Sequence, residues 1–211
     1  MSQPDRYAFD KETIKLNAYR LLCLFYASKT IASLSDPNDR SDPASCLEAQ
    51  FFQREITHAL LNLAICIRTL DDQMKTLPLQ DPRYIAYENI CKDNHNKHWC
   101  TIFDDEKSLK NGQQHLPLRE VCNKILHAAQ IDVQRFQQTG GHAMDYYNMD
   151  DFSLQNRESS DANILGPTPI LWTYLSGNIR LSGRNKGKSW VHLLVIPSFV
   201  DATYHLIDSL P

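Results

Sequence analysis

The chain has 211 residues, 42% of them hydrophobic and 22% charged, with a formal net charge of -3. That is ordinary globular composition for one sizeable domain, and the near-neutral balance excludes a generic polyanion binder. No run approaches the roughly 18 consecutive apolar residues that span a bilayer, and the polar start MSQPDRYAFDKETIK lacks the apolar core of a signal peptide, so a cytoplasmic protein without membrane contact is expected. With no secretory signal, the six cysteines predict no disulfide framework. Cys23, Cys66 and Cys122 lie in apolar helical patterns, where a reduced cysteine behaves as a small hydrophobe.

The first pattern runs from about Asp10 to Leu34, with Ile14, Leu16, Tyr19, Leu22, Cys23, Phe25, Tyr26 and Ile31 making a broad apolar stripe. The turn SDPNDRSDPAS ends it. A second long helix is predicted from about Ala44 to Leu77, through Phe51, Ile56, Leu60, Leu63, Ile67 and Leu70. Two long helices with a short connection predict an antiparallel helical hairpin. Between Pro78 and Leu116 the pattern is less regular, with a short helix expected in RYIAYENICKD and a solvated loop in FDDEKSLKNGQQ.

A third helix is expected in LREVCNKILHA, Leu118 to Ala128, with Pro117 suited to its first turn. The polar run from Asp132 to Gly166, broken at Gly140–Gly141, predicts loops, with strands that its pattern does not place. WTYLSGNIRLSG and KSWVHLLVI flank the turn-like RNKG and predict a β-hairpin. Pro197 then opens a final helix with Phe199, Ala202, Leu206, Ile207 and Leu210 on one face. The expected class is mainly α: a single domain with a helical bundle over about 10–130, an irregular segment over 131–166, and a small β-hairpin plus helix over 167–211.

The third helix carries a polar stripe, since Arg119, Asn123 and His127 are four apart. Such a stripe is often simply a helix's wet side. It also suits phosphodiester chemistry: histidine moves a proton near neutral pH, arginine holds a phosphate, and an amide orients either. REITH repeats part of the pattern on the second helix, placing Arg54 and His58 four apart. Solvated helix surface is the favoured reading of that pair.

Long paired helices followed by a helix carrying N-K-I-x-H (Asn123 to His127) resemble HEPN domains, the higher-eukaryote and prokaryote nucleotide-binding superfamily. The resemblance implies a helical bundle, often a homodimer, and in many members a metal-independent ribonuclease of toxin–antitoxin or antiviral defence systems. The usual signature is an arginine followed by four to six residues and then a histidine, frequently R-N-x-x-x-H. Asn123 and His127 match its last two elements, Cys122 occupies the arginine's place, and Arg119 stands seven intervening residues before His127. The roles implied are His127 as acid/base, Asn123 orienting it, and Arg119 or Arg54 on the phosphate, with no metal and no cofactor. RNA, a second copy and a partner protein from the same defence system are the implied partners. The alternative, favoured by Cys122, is a non-catalytic helical module that binds a partner protein or a nucleotide.

Two further signals stand beside the stripe. Arg180, Arg184, Lys186 and Lys188 are the charged residues between Ala162 and Val200, with Trp172, Tyr174 and Trp190 near them. Basic groups interleaved with aromatics suit single-stranded nucleic acid, although a charged hairpin also protects a sheet edge. Cys91, His95, His98 and Cys100 have ligand chemistry for zinc, but C-x3-H-x2-H-x-C is not a common finger spacing. No phosphate-cradling glycine loop or nucleophile elbow occurs.

Overall fold

A computed structural model of the chain describes residues 10–34, 42–97, 100–104, 113–139 and 171–210. Helix α1 spans Lys11–Leu34 and α2 spans Pro43–Lys75. Asp10 starts α1: its carboxylate accepts from the Glu12 amide at 3.1 Å and the Thr13 hydroxyl at 3.2 Å, which meets donors the first turn leaves unpaired. Ile14, Ala18, Leu21 and Phe25 recur at helical spacing and are buried against Ile56, Leu60, Leu63 and Ile67 of α2 within one core. The Ser28 hydroxyl donates to Glu48 at 3.0 Å, joining the end of α1 to the start of α2 as an antiparallel hairpin requires.

Helix α3 covers Pro82–Lys97 and is longer than the short helix expected. Asp81 caps it, accepting from the Arg83 amide at 2.9 Å, and the paired Arg83 side chain draws this carboxyl below its usual range. Helix α4 covers Leu118–Leu126 and buries Leu118, Val121, Cys122 and Ile125. It ends sooner than its apolar spacing suggests, because His127 (φ -101°, ψ 6°) leaves helical geometry and caps it. Helix α5, Ile196–Asp208, has proline in its first turn and buries Phe199, Ala202, Leu206 and Ile207.

The strands are β1 (Cys100–Asp104), β2 (Gln113–Leu116), β3 (Gln130–Thr139), β4 (Leu171–Asn185) and β5 (Lys188–Val195). They form one antiparallel five-stranded sheet in the order β2-β1-β5-β4-β3. The expected hairpin is β4–β5, turned by Lys186 (φ 49°) and Gly187 (φ 80°). Left-handed geometry at both loop residues matches the twist of a two-residue hairpin.

Two expectations about the connecting segments need correction. Residues 130–139 are strand rather than irregular, because Ile131 and Val133 alternate with polar neighbours and pair with Leu181 and Ile179. The loop expected in FDDEKSLKNGQQ is strand at both ends, since Phe103 pairs with Gln113 and with Leu193; residues 105–112 lie outside the described residues. The helices rest on one face of this sheet through Ile179, Leu181 and Leu194, all fully buried.

Candidate functional site

The polar stripe of α4 divides into two environments. Its first turns lie against the end of α2. The Arg119 guanidinium is ion-paired with Asp71 and lies 2.8 Å from Asp72. Asn123 accepts a hydrogen bond from Arg68 and donates to Glu120 at 3.3 Å. Arg68 also reaches Asp72, at 3.7 Å.

Asp71 is the anchor of this network, only 3% exposed. It is paired with Lys75 at 3.0 Å and accepts the Tyr87 hydroxyl from α3. A buried carboxylate needs such compensation, since desolvation opposes its charge. Burial raises the Tyr87 phenol well above its ordinary value, with the neighbouring Cys91 adding to the effect, so it stays an O–H donor. Burial draws Arg119 down and the nearby Arg68 charge reinforces that. Arg119 and Asn123 therefore tie α4 to α2.

In the sequence Arg68 belongs to no motif, and Asp71 and Asp72, near the end of the second long helix, look like end-of-helix polar residues. One signal pointed to Asp71: it falls four residues after Ile67 and seven after Ala64, on the buried face of α2. Cys122, in the place of the resembling family's arginine, is fully buried in the core.

The far end of the stripe is open. His127 is exposed, and its carbonyl lies against β4, 3.1 Å from where a Cβ on Gly183 would stand. The Ala129 amide donates to Ser182 at 2.8 Å and locks this junction. Gly183 is required here, since a Cβ would come within 2.5 Å of the Trp190 ring. Lys124 stands over the other part of this assembly, its ammonium 4.9 Å from the Trp190 centroid, a cation–π contact. His192 stacks on Trp190 at 5.1 Å.

The hairpin cations do not share one face. Side chains alternate along a strand, so Arg180 and Arg184 point away from Gly183, on the face where Arg180 meets Asp132 at 3.7 Å. Lys188 shares the face of Trp190, and Lys186 forms the tip of the turn. Arg184, Lys186 and Lys188 are exposed. The end of α4, with His127 and Lys124, thus packs on the hairpin that carries Lys186 and Lys188. Trp190 is partly buried and packed on the core, so it serves the fold; the side chains of Trp172 and Tyr174 lie outside the described residues.

Arg54 and His58 are both exposed on α2. The neighbouring Gln53 donates to the Ile131 carbonyl at 2.7 Å, which places Arg54 near the start of β3. Fourteen residues of helix separate Arg54 from Arg68, about 21 Å, so Arg54 does not join Arg119 and Asn123. In the cysteine–histidine cluster, Cys91 packs in α3, whereas His98 and the side chains of His95 and Cys100 lie outside the described residues. Among the described residues no group of three His, Cys, Asp or Glu is placed to hold a metal ion, and no helix is long and apolar enough to cross a membrane.

A cavity of about 380 Å³ opens on the other side of the Asp71 network, between α2, α3, α4 and α5. No family model, curated protein or solved structure matches this chain.

Proposed function

We propose that this chain binds RNA where the end of α4 meets the β4–β5 hairpin, with His127 as the acid/base group of a metal-independent cleavage. The observation that carries the reading is that the His127 backbone carbonyl packs on Gly183 while Lys124 stands on the Trp190 ring, so the end of α4, with its exposed His127, lies against the hairpin that carries Lys186 and Lys188. Strands β4 and β5 contain no acidic residue, so nothing on them opposes a phosphate backbone. In this reading the lysines hold the non-bridging oxygens and His127 takes the 2′-hydroxyl proton or protonates the leaving oxygen. Arg119 and Asn123 act at a distance, by fixing α4. The resemblance to HEPN domains supports RNA and metal-free chemistry, and with them a cytoplasmic homodimer in a prokaryotic toxin or antiviral defence system.

The test is a labelled single-stranded RNA incubated with the protein in EDTA, followed by anisotropy and by gel, beside His127→Ala. The account expects binding by both proteins and cleavage by the parent alone. Equal cleavage by both would remove His127 from the mechanism, and no binding by either would remove the surface.

A second reading rests on a different observation. Leu16, Tyr19 and Tyr26 on α1, and Leu47 and Phe51 on α2, are large apolar residues left exposed. Exposed apolar side chains on these two packed helices are what a contact surface would use, which supports an interaction module whose partner is another protein or a second copy.

A further inference from the structure

The cavity among α2, α3, α4 and α5 has no part in RNA binding as proposed above. Its volume, about 380 Å³, lies in the range of small-molecule sites. At roughly 30 Å³ per water-sized atom, it holds a ligand of about a dozen heavy atoms. Ile67, Leu118 and Leu206 give it an apolar wall, and Tyr84 and Tyr87 add aromatic surface.

The charged groups of the wall are not equivalent. Lys75 is committed to Asp71, and Arg119 to Asp71 and Asp72. Glu88 is neutralised by Lys92 at 3.0 Å. Glu120 alone among these carboxylates has no described cation within ion-pair distance; its hydrogen bond comes from the Asn123 amide at 3.3 Å. A ligand entering this space meets an apolar wall, two phenol rings and one carboxylate, Glu120, whose cationic neighbour Arg119 is in ion-pair contact with Asp71 and Asp72 instead. An anion finds no uncommitted cation there.

We propose that this cavity binds a small organic cation, an ammonium group on an aromatic or branched aliphatic body, with Glu120 as its counter-ion. The apolar part is held by Ile67, Leu118 and Leu206, and tyrosine rings favour a nearby cation. Such a ligand would bridge α3 and α4 directly above the Asp71 network.

The experiment uses three probes of similar size on the full chain: tryptamine, its neutral alcohol tryptophol, and indole-3-acetate. Binding is read by calorimetry, and position by protection of Cys91 from iodoacetamide, followed by mass spectrometry. Cys91 lines the cavity, whereas the exposed Cys46 serves as the unprotected control. The proposal expects tryptamine to bind about fivefold more tightly than tryptophol, as one partly exposed ion pair allows, and to slow alkylation of Cys91 but not of Cys46. Indole-3-acetate should bind most weakly. Glu120→Gln, at an exposed position, should bring tryptamine to the affinity of tryptophol. Equal or tighter binding of indole-3-acetate would overturn the charge assignment, and so would an unchanged tryptamine affinity in Glu120→Gln. Absence of Cys91 protection by any probe would overturn the site itself.

Discussion

At the start of α4, Arg119 and Asn123 face α2 and are held by Asp71, Asp72 and Arg68. Two turns later His127 faces solvent beside the hairpin, and Lys124 is held against the Trp190 ring. The residue types are those of a phosphate site at both ends, yet only the second end leaves its groups available. The difference comes from the partner element. Helix α2 offers carboxylates, one of them buried, and these neutralise any cation placed opposite. Strands β4 and β5 offer cations and no acid. A helix stripe therefore takes its meaning from what it packs on.

The strongest way to break this contrast is to remove the buried anchor. Asp71→Ala leaves Arg119 and Lys75 without their shared partner and should cost about 3 kcal/mol. For a chain of this size that lowers Tm by about 10 °C, measured by thermal unfolding followed by circular dichroism. A loss within the range of ordinary surface substitutions would show that the network does not anchor α4.

The next effect tests the junction. Gly183→Ala pushes a methyl group into the Trp190 ring, with overpacking of about 1–3 kcal/mol. Because Lys124 stands on that ring, RNA affinity should fall together with Tm. Unchanged affinity in a destabilised Gly183→Ala protein would separate the ring from the binding surface. At the open end, His127→Ala should leave stability within about 0.5 kcal/mol of the parent, as expected for an exposed side chain, while RNA cleavage disappears. A large loss of Tm in this variant would mean that the His127 side chain, and not only its backbone, holds the end of α4.

The smallest effect is electrostatic and lies away from both ends. Asp81 is drawn below its ordinary value by Arg83, and Glu88 by Lys92. A depressed folded value adds stability above the unfolded value, about 3.9 for aspartate and 4.3 for glutamate, and that contribution is lost as pH falls through the folded value. Both pairs are solvent-screened through their exposed cations, Arg83 and Lys92, so Arg83→Ala and Lys92→Ala should only slightly flatten the fall of Tm between pH 5 and pH 3. A steeper fall in either variant would contradict the assignment.

The long helices were legible because their apolar residues keep a 3.6 period over many turns, as Ile14, Ala18, Leu21 and Phe25 do. The β4–β5 turn was legible from Asn185, Lys186 and Gly187. Strands β1 and β2 were not, since they are short and carry no alternation. The end of α4 was misplaced because Leu126 and Ala128 continue an apolar spacing after the backbone has left the helix at His127. The site was half legible. Arg119 and Asn123 lie within α4 and His127 just past its end, but Asp71, Asp72 and Arg68 lie 47 to 55 positions away from their partners in sequence. Only tertiary packing tells which of the stripe's groups are neutralised. The hairpin cations were found as a cluster, while their division between two faces follows from strand alternation once register is known.

The central claim is that the His127 end of α4 and the hairpin tip form one phosphate-binding surface. Its most direct test is the salt dependence of affinity for a labelled single-stranded RNA, measured in EDTA for the parent and for Lys186→Gln/Lys188→Gln. Each phosphate contact contributes about 0.7 to the slope of log affinity against log salt on a single strand. The account predicts weaker binding and a slope shallower by about 1.4 in the double variant, with Tm unchanged. Parent-like affinity and slope in that variant would contradict it.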